Sequence, residues 1–163
     1  MKATHQNYII RSWESRDREI AANLIRDVLK EYGLPWQPEE ADRDVIAIED
    51  CYLVPGGEFW VIEEDNTIVG TGAYYPIERG DRAVEIRKMY LSPKVRGKGL
   101  GKFLLQALET AIQQRGFHEI WIETASVLKE AVQLYEKSGY HPATGVETAR
   151  CDRVYVKRLI APE

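Results

Sequence analysis

The run Lys94-Val95-Arg96-Gly97-Lys98-Gly99-Leu100-Gly101-Lys102 holds four cations, three glycines at alternate positions and no acid. Without a Cβ, glycine lets backbone approach a ligand, and a helix that starts just after it turns unpaired N–H groups outward. Such a helix start attracts phosphate. A tight or flexible turn also uses glycine, yet the setting favours an anion. A strand ends at Leu91, Pro93 breaks it, and an apolar helical stripe follows at once. Two familiar phosphate loops fail on spacing. In G-x-x-x-x-G-K-[ST] the first glycine would fall on Arg96 and the last residue on Phe103; in G-x-G-x-x-G the third glycine would fall on Lys102 or Leu104. What remains is R-x-x-G-x-G.

Other chemistries find little support. His5, His118 and His141 show no ligand spacing and stand beside no nucleophile, so neither a metal site nor a triad is indicated. Cys51 and Cys151 lie a hundred residues apart with no third cysteine, which fits neither a disulfide framework nor a thiolate metal site; both read as reduced thiols. A net charge of −4 argues against nucleic acid or an anionic membrane as partner, so the cationic run is local.

The chain that must position this loop has 163 residues, 44% hydrophobic and 29% charged, enough for one core and a single domain over 1–163. Aromatics at 10%, with 12 Gly and 7 Pro, exclude a disordered or collagen-like chain. No apolar stretch approaches the roughly 20 residues that cross a bilayer, and the first thirty residues lack a signal-peptide core. A cytoplasmic protein is expected.

Along the chain, 8–13 reads as a strand and 15–32 as a helix carrying Ile20, Leu24, Ile25, Val28 and Leu29, stopped by Gly33 and Pro35. A shorter helix is expected over 38–50, with Glu39, Glu40, Asp42, Asp44, Glu49 and Asp50 mostly on a solvated face. Strands 59–64, 68–77 and 83–91 form an antiparallel meander around the polar turns at 65–66 and 78–81. After the glycines, Leu104, Leu108, Ala111 and Ile112 make a helix that ends before Gly116. A strand over 118–125, a helix over 127–138 and a last strand over 151–159 complete the order βααβββαβαβ. That order implies an α/β fold, a mixed sheet with helices on both faces and no internal repeat.

The R-x-x-G-x-G loop after EIRKMYL, followed by a helix, a strand and EAVQLYEKSGY, resembles the GCN5-related N-acetyltransferase (GNAT) family. The match spans most of the chain and is tightest over 83–140. LKEAVQLYEKSGY, EYGL at 31–34 and Cys151-Asp152 are similar to small bacterial acetyltransferases that act on amino acids or related small molecules.

The resemblance implies a mostly antiparallel sheet that splays between its fourth and fifth strands, 83–91 and 118–125, with acetyl-CoA in the gap. Met89 and Leu91 would pair by backbone with the pantetheine arm, and the Met89 amide would polarise the thioester carbonyl. The backbone of Arg96, Gly97, Lys98, Gly99, Leu100, Gly101 and Lys102 would wrap the pyrophosphate, with Arg96 and Lys98 adding charge. An isolated Tyr135 would read as a core or interface aromatic; in the family's A-x-x-L-Y-x-x-x-G-[FY] segment it is the general acid to the departing thiolate. Leu128 stands where many relatives have a pantetheine-binding Asn, which removes that contact.

The amine acceptor must shed a proton before it attacks the thioester. Glu85 aligns with a strand-four glutamate that several family members use as base, and its alternative is an exposed residue balanced by Arg87. Tyr75 could hold a relay water, and the acids of 39–50 could draw a cationic acceptor. With no motif near either cysteine, direct transfer is favoured over an acetyl-cysteine intermediate. The implied reaction is acetyl transfer from acetyl-CoA, without a metal, to a small-molecule amine that could be an amino acid. A protein N-terminal or lysine acetyltransferase and a non-catalytic CoA-binding sensor remain the alternatives. Family members are often dimers, so a homodimer is open.

Overall fold

The computed structural model describes residues 1–159. Eight strands form one sheet in the order β1-β2-β3-β4-β5-β6-β8-β7. They are β1 (Ala3–His5), β2 (Tyr8–Ser12), β3 (Glu58–Glu64), β4 (Thr67–Ile77), β5 (Ala83–Leu91), β6 (Glu119–Thr124), β7 (His141–Pro142) and β8 (Arg153–Arg158). Every neighbouring pair is antiparallel except β5 and β6. The helices are α1 (Arg18–Glu31), α2 (Arg43–Ile46), α3 (Leu100–Gln114) and α4 (Lys129–Lys137).

Alternation along the strands builds a core on each face. Trp60 and Ile62 of β3 join Leu104, Leu105, Leu108 and Ile112 of α3 and Tyr135 of α4. Phe59 and Val61 turn the other way, against Ala21, Ala22, Ile25 and Leu29 of α1. The α3 stripe packs closely because β4 offers no side chain beneath it: a Cβ at Gly72 would stand 3.2 Å from Leu104. Each of those α3 side chains, at 1% exposure or less, contributes about 1.5–3 kcal/mol by leaving water.

The mixed sheet and the helices on both faces are as expected, with three differences. First, β1 and the two-residue β7 are additional, too short to show a period in sequence; the strand counted fourth is therefore β5 and the fifth β6. Second, Ile20 is 55% exposed, and Ala21 and Ala22 take the buried stripe with Ile25, Val28 and Leu29. Third, the expected helix over 38–50 is broken into turns over 38–42, the four-residue α2 and a π turn over Glu49–Leu53. Four of its six acids, Glu39, Glu40, Glu49 and Asp50, are exposed as expected, but Asp42 and Asp44 are buried. The two buried acids find cationic partners on β5 and in the loop before β8, which local spacing could not reveal. Among the described residues no helix is long and apolar enough to cross a membrane.

Candidate active site

The parallel pairing of β5 with β6 runs from Ala83↔Glu119 to Ile86↔Ile122 and stops there. Residues 87–91 continue along β4 alone, so the sheet opens into a cleft. Arg87–Leu91, the glycine loop, the start of α3, the end of β6 and α4 line it.

A bulge at Lys88 sets which groups face this opening. Ala73 pairs with Arg87 and Thr71 with Tyr90, so Gly72 opposes two residues of β5. Lys88 takes φ +53°, and its carbonyl accepts the Thr71 hydroxyl at 2.6 Å. The extra residue reverses the side-chain alternation: Val84 and Ile86 lie on the α3 face, and so do Met89 and Leu91. Backbone groups alternate as well. The Ser92 amide donates to Val69 at 2.8 Å, placing Tyr90 on the β4 edge and turning Met89 and Leu91 towards the cleft.

Gly97 and Gly99 adopt φ +76° and +78°. A Cβ at either would meet nothing within 4 Å, so the turn faces open space. The Phe103 amide donates to the Gly99 carbonyl at 3.0 Å, the first bond of α3. No amide from Gly97 to Lys102 has an acceptor among the described residues. These N–H groups, with exposed Lys98 and Lys102 beside them, suit a diphosphate. Arg96 is differently employed. Its guanidinium holds Glu31 at 2.6 and 3.0 Å and the Leu91 carbonyl at 3.0 Å, and receives Tyr32 beneath it at 5.4 Å. It ties the glycine loop to the end of α1.

Tyr135 reaches the cleft from α4 and is 4% exposed. Its ring packs near Tyr140 and Tyr155, and its hydroxyl has no hydrogen-bond partner among the described residues. Burial, with Tyr90 and Cys151 nearby, pushes that hydroxyl far above the ordinary tyrosine range, so it keeps its proton at neutral pH. Leu128 lines the cleft as the residue preceding α4 and offers only apolar surface.

Glu85 is buried at 6% exposure, which removes the reading of an exposed strand residue. It accepts the Tyr75 hydroxyl at 2.8 Å and lies 3.7 Å from Arg87. Burial raises its carboxyl above the usual glutamate range, with Arg87 and Tyr75 opposing. A buried carboxylic acid of raised proton affinity suits a general base. Tyr75 is thus attached to Glu85 rather than free in the cleft.

Four residues of this region had no local signal. Asp42 is fully buried and receives Arg150 in two bonds of 2.6 Å, Lys88 at 2.9 Å and the Gln37 amide at 2.8 Å. Burial would raise the Asp42 carboxyl, but Arg150 and Lys88 bring it down to about 2. Glu123 accepts Arg79 at 3.1 Å and the amides of Glu147 and Thr148, fixing the loop that leads to Arg150. Only the ionic character of these residues was visible in sequence; their ionic partners lie 44 to 108 positions away. Cys51 and Cys151 are free thiols, and burial raises Cys151 to about 11. Among the described residues no cluster of His, Cys, Asp or Glu is arranged for a metal ion.

Residues 22–140 match the Acetyltransferase (GNAT) family. The Escherichia coli (strain K12) protein described as Uncharacterized N-acetyltransferase YjgM is 37% identical over 139 residues, 83% of each chain. An acetyltransferase structure from Streptococcus agalactiae 2603 superposes with a TM-score of 0.85 at 26% identity, covering 95% of this chain and 100% of that one. The structure of yncA from Salmonella typhimurium with its cofactor acetyl-CoA gives a TM-score of 0.73 at 20% identity, covering 97% and 96%.

Proposed function

The chain belongs to the GNAT acetyltransferase family, and from that premise we propose that it transfers acetyl from acetyl-CoA to the amine of a small molecule by direct attack, in the cleft between β5 and β6. The observation that carries this reading is the end of β5–β6 pairing at Ile86 and Ile122, opposite a loop of unpaired amides. One wall is an open strand edge and the other end is an anion site, which fits a ligand with a peptide-like arm and a diphosphate.

Acetyl-CoA supplies an activated acetyl group as a thioester. The Met89 backbone edge holds the arm and aims an N–H at the carbonyl, as in other oxyanion sites. The Leu91 carbonyl is already taken by Arg96, so its amide is the group left for the ligand. The amides of 97–102 with Lys98 and Lys102 hold the phosphates, while Arg96 keeps their loop in place through Glu31.

Glu85 takes one proton from the incoming ammonium. Tyr135 gives its own proton to the departing sulfur and regains one from the nitrogen, as the C–N bond forms and the C–S bond breaks. One proton is released overall, with the thiol and the N-acetyl product. Neither cysteine takes part, since Cys151 stays protonated well above neutrality.

The whole chain, 1–163, is read as one acetyltransferase domain at work in a reducing cytoplasm, supported by the two free thiols. No face is assigned to a homodimer. An amine library incubated with acetyl-CoA, followed by free thiol and by mass spectrometry, tests the reading. Acetylation of small amines is expected. Acetylation of peptides alone would assign a protein acceptor, and acetyl-CoA binding with no turnover would assign a sensor.

A further inference from the structure

Three arginines line the cleft, and two of them are spent. Arg96 grips Glu31 at 2.6 and 3.0 Å, and Arg150 grips Asp42 in two bonds of 2.6 Å. Arg87 is not so engaged. Its Nη2 donates to the Ala41 carbonyl at a long 3.4 Å. Its Nε stands 3.7 Å from Glu85 and 3.9 Å from Asp44, beyond hydrogen-bond reach, and its guanidinium lies 6.0 Å from the Tyr75 ring centroid.

The bulge explains this. It places Arg87 and Lys88 on one face of β5, and Lys88 is the nearer partner of both buried acids, at 2.9 Å from Asp42 and 3.4 Å from Asp44. Arg87 is left lining the cleft with five N–H donors, little solvent at 23% side-chain exposure, and two carboxylates, of Glu85 and Asp44, only at ion-pair distances of 3.7 and 3.9 Å.

Resting on the reading of Glu85 as the base, we propose that the acceptor is a free α-amino acid, whose carboxylate is bound by Arg87 while its amine faces Glu85. In an α-amino acid the two charged groups are one carbon apart. They can therefore lie side by side against a carboxylate and a guanidinium that are themselves 3.7 Å apart. A lysine ε-amine carries no carboxylate so near, and a peptide N-terminus has an amide in its place. Either would leave Arg87 without a paired carboxylate at hydrogen-bond distance, and the planar fork of arginine matches a carboxylate in two parallel bonds.

The test uses the twenty amino acids, their α-amides and the matching decarboxylated amines, with thiol release and calorimetric acetyl-CoA binding as readouts. At least one amino acid is expected to exceed its amide and its amine by about a hundredfold in kcat/KM, the effect of losing a charged hydrogen-bonded pair. Arg87→Gln should cut the amino acid by a similar factor relative to its amide measured in the same variant, mainly through KM, leave acetyl-CoA affinity within about twofold, and so remove the preference. Arg87→Lys, which keeps charge without the fork, should fall between. Equal use of acid and amide by the parent, a comparison needing no variant, would overturn the acceptor assignment while sparing the transferase reading. Intact acetyl-CoA binding with no turnover of any amine would overturn both.

Discussion

Arg150 and Asp42, 108 positions apart in sequence, meet in two hydrogen bonds of 2.6 Å beside the cleft. Asp42 belongs to the turns before α2 and is also bound by Lys88 of β5; Arg150 precedes β8 and also donates to the Pro35 carbonyl at 2.9 Å. One carboxylate thus joins both sides of the opened sheet.

That carboxylate should make stability fall in acid. Its folded value of about 2 lies below the ordinary 3.8, so its contribution is complete above about pH 5 and is lost as pH falls towards 2. The loss amounts to about 2 kcal/mol. Denaturant titrations at stepped pH should show this limb in the parent and not in Asp42→Asn, which should be less stable at pH 7. An identical acid limb in the variant would refute the assignment.

Tyr135→Phe should lower kcat by about 10²–10³, the usual worth of a positioned proton donor. Acetyl-CoA affinity should not change, because the hydroxyl binds nothing in the protein, and the melting temperature should hold because the ring still fills its place beside Tyr140 and Tyr155. Thiol-release kinetics beside calorimetry check it; an undiminished kcat would remove Tyr135 from the chemistry.

In the parent, kcat/KM should rise with pH through a limb lying above the normal glutamate range, since burial raises Glu85. Glu85→Gln should abolish that limb and lower kcat/KM by about a hundredfold or more. A carboxyl whose proton affinity is higher folded than unfolded costs stability once pH exceeds its unfolded value, so the variant's melting temperature at pH 7 should not drop. A pH–rate profile that keeps the limb would point to another base.

Gly99→Val should weaken acetyl-CoA binding by tenfold or more. Part of that would be strain, because φ is +78° and a left-handed β-branched residue costs about 1–2 kcal/mol. Gly99→Asn tolerates that conformation and still projects into the open space over the amides, where a Cβ meets no protein atom. It should therefore lose affinity with little loss of stability. Calorimetric affinity unchanged in both variants would show that the turn does not hold the phosphates.

The residues 83–116 were readable because their signals are local: a strand pattern, a proline, glycines at alternate positions and a helical stripe follow one another in one stretch. The same is true of Tyr135, whose place in α4 and in its motif depends on neighbours within ten residues. The segment 38–50 misled for the complementary reason. Its acids look alike in sequence, but Asp42 and Asp44 were drawn inward by Lys88 and Arg150, while Glu49 pairs with Arg18 at the surface.

The amino-acid sequence by itself determined the cationic glycine loop, the elements around it and the titratable residue types near it, since backbone conformation and hydrophobic period are set within a few residues. Tertiary structure alone decided where β5 leaves β6, that Glu85 is buried against Tyr75, and that Arg87 is the cleft arginine whose carboxylate neighbours stay 3.7 and 3.9 Å away. Those are outcomes of a bulge at Lys88 and of ion pairs closed over as many as 108 positions. Burial and long-range pairing, which fix the proton affinity and the free donors of a side chain, have no signature in local spacing.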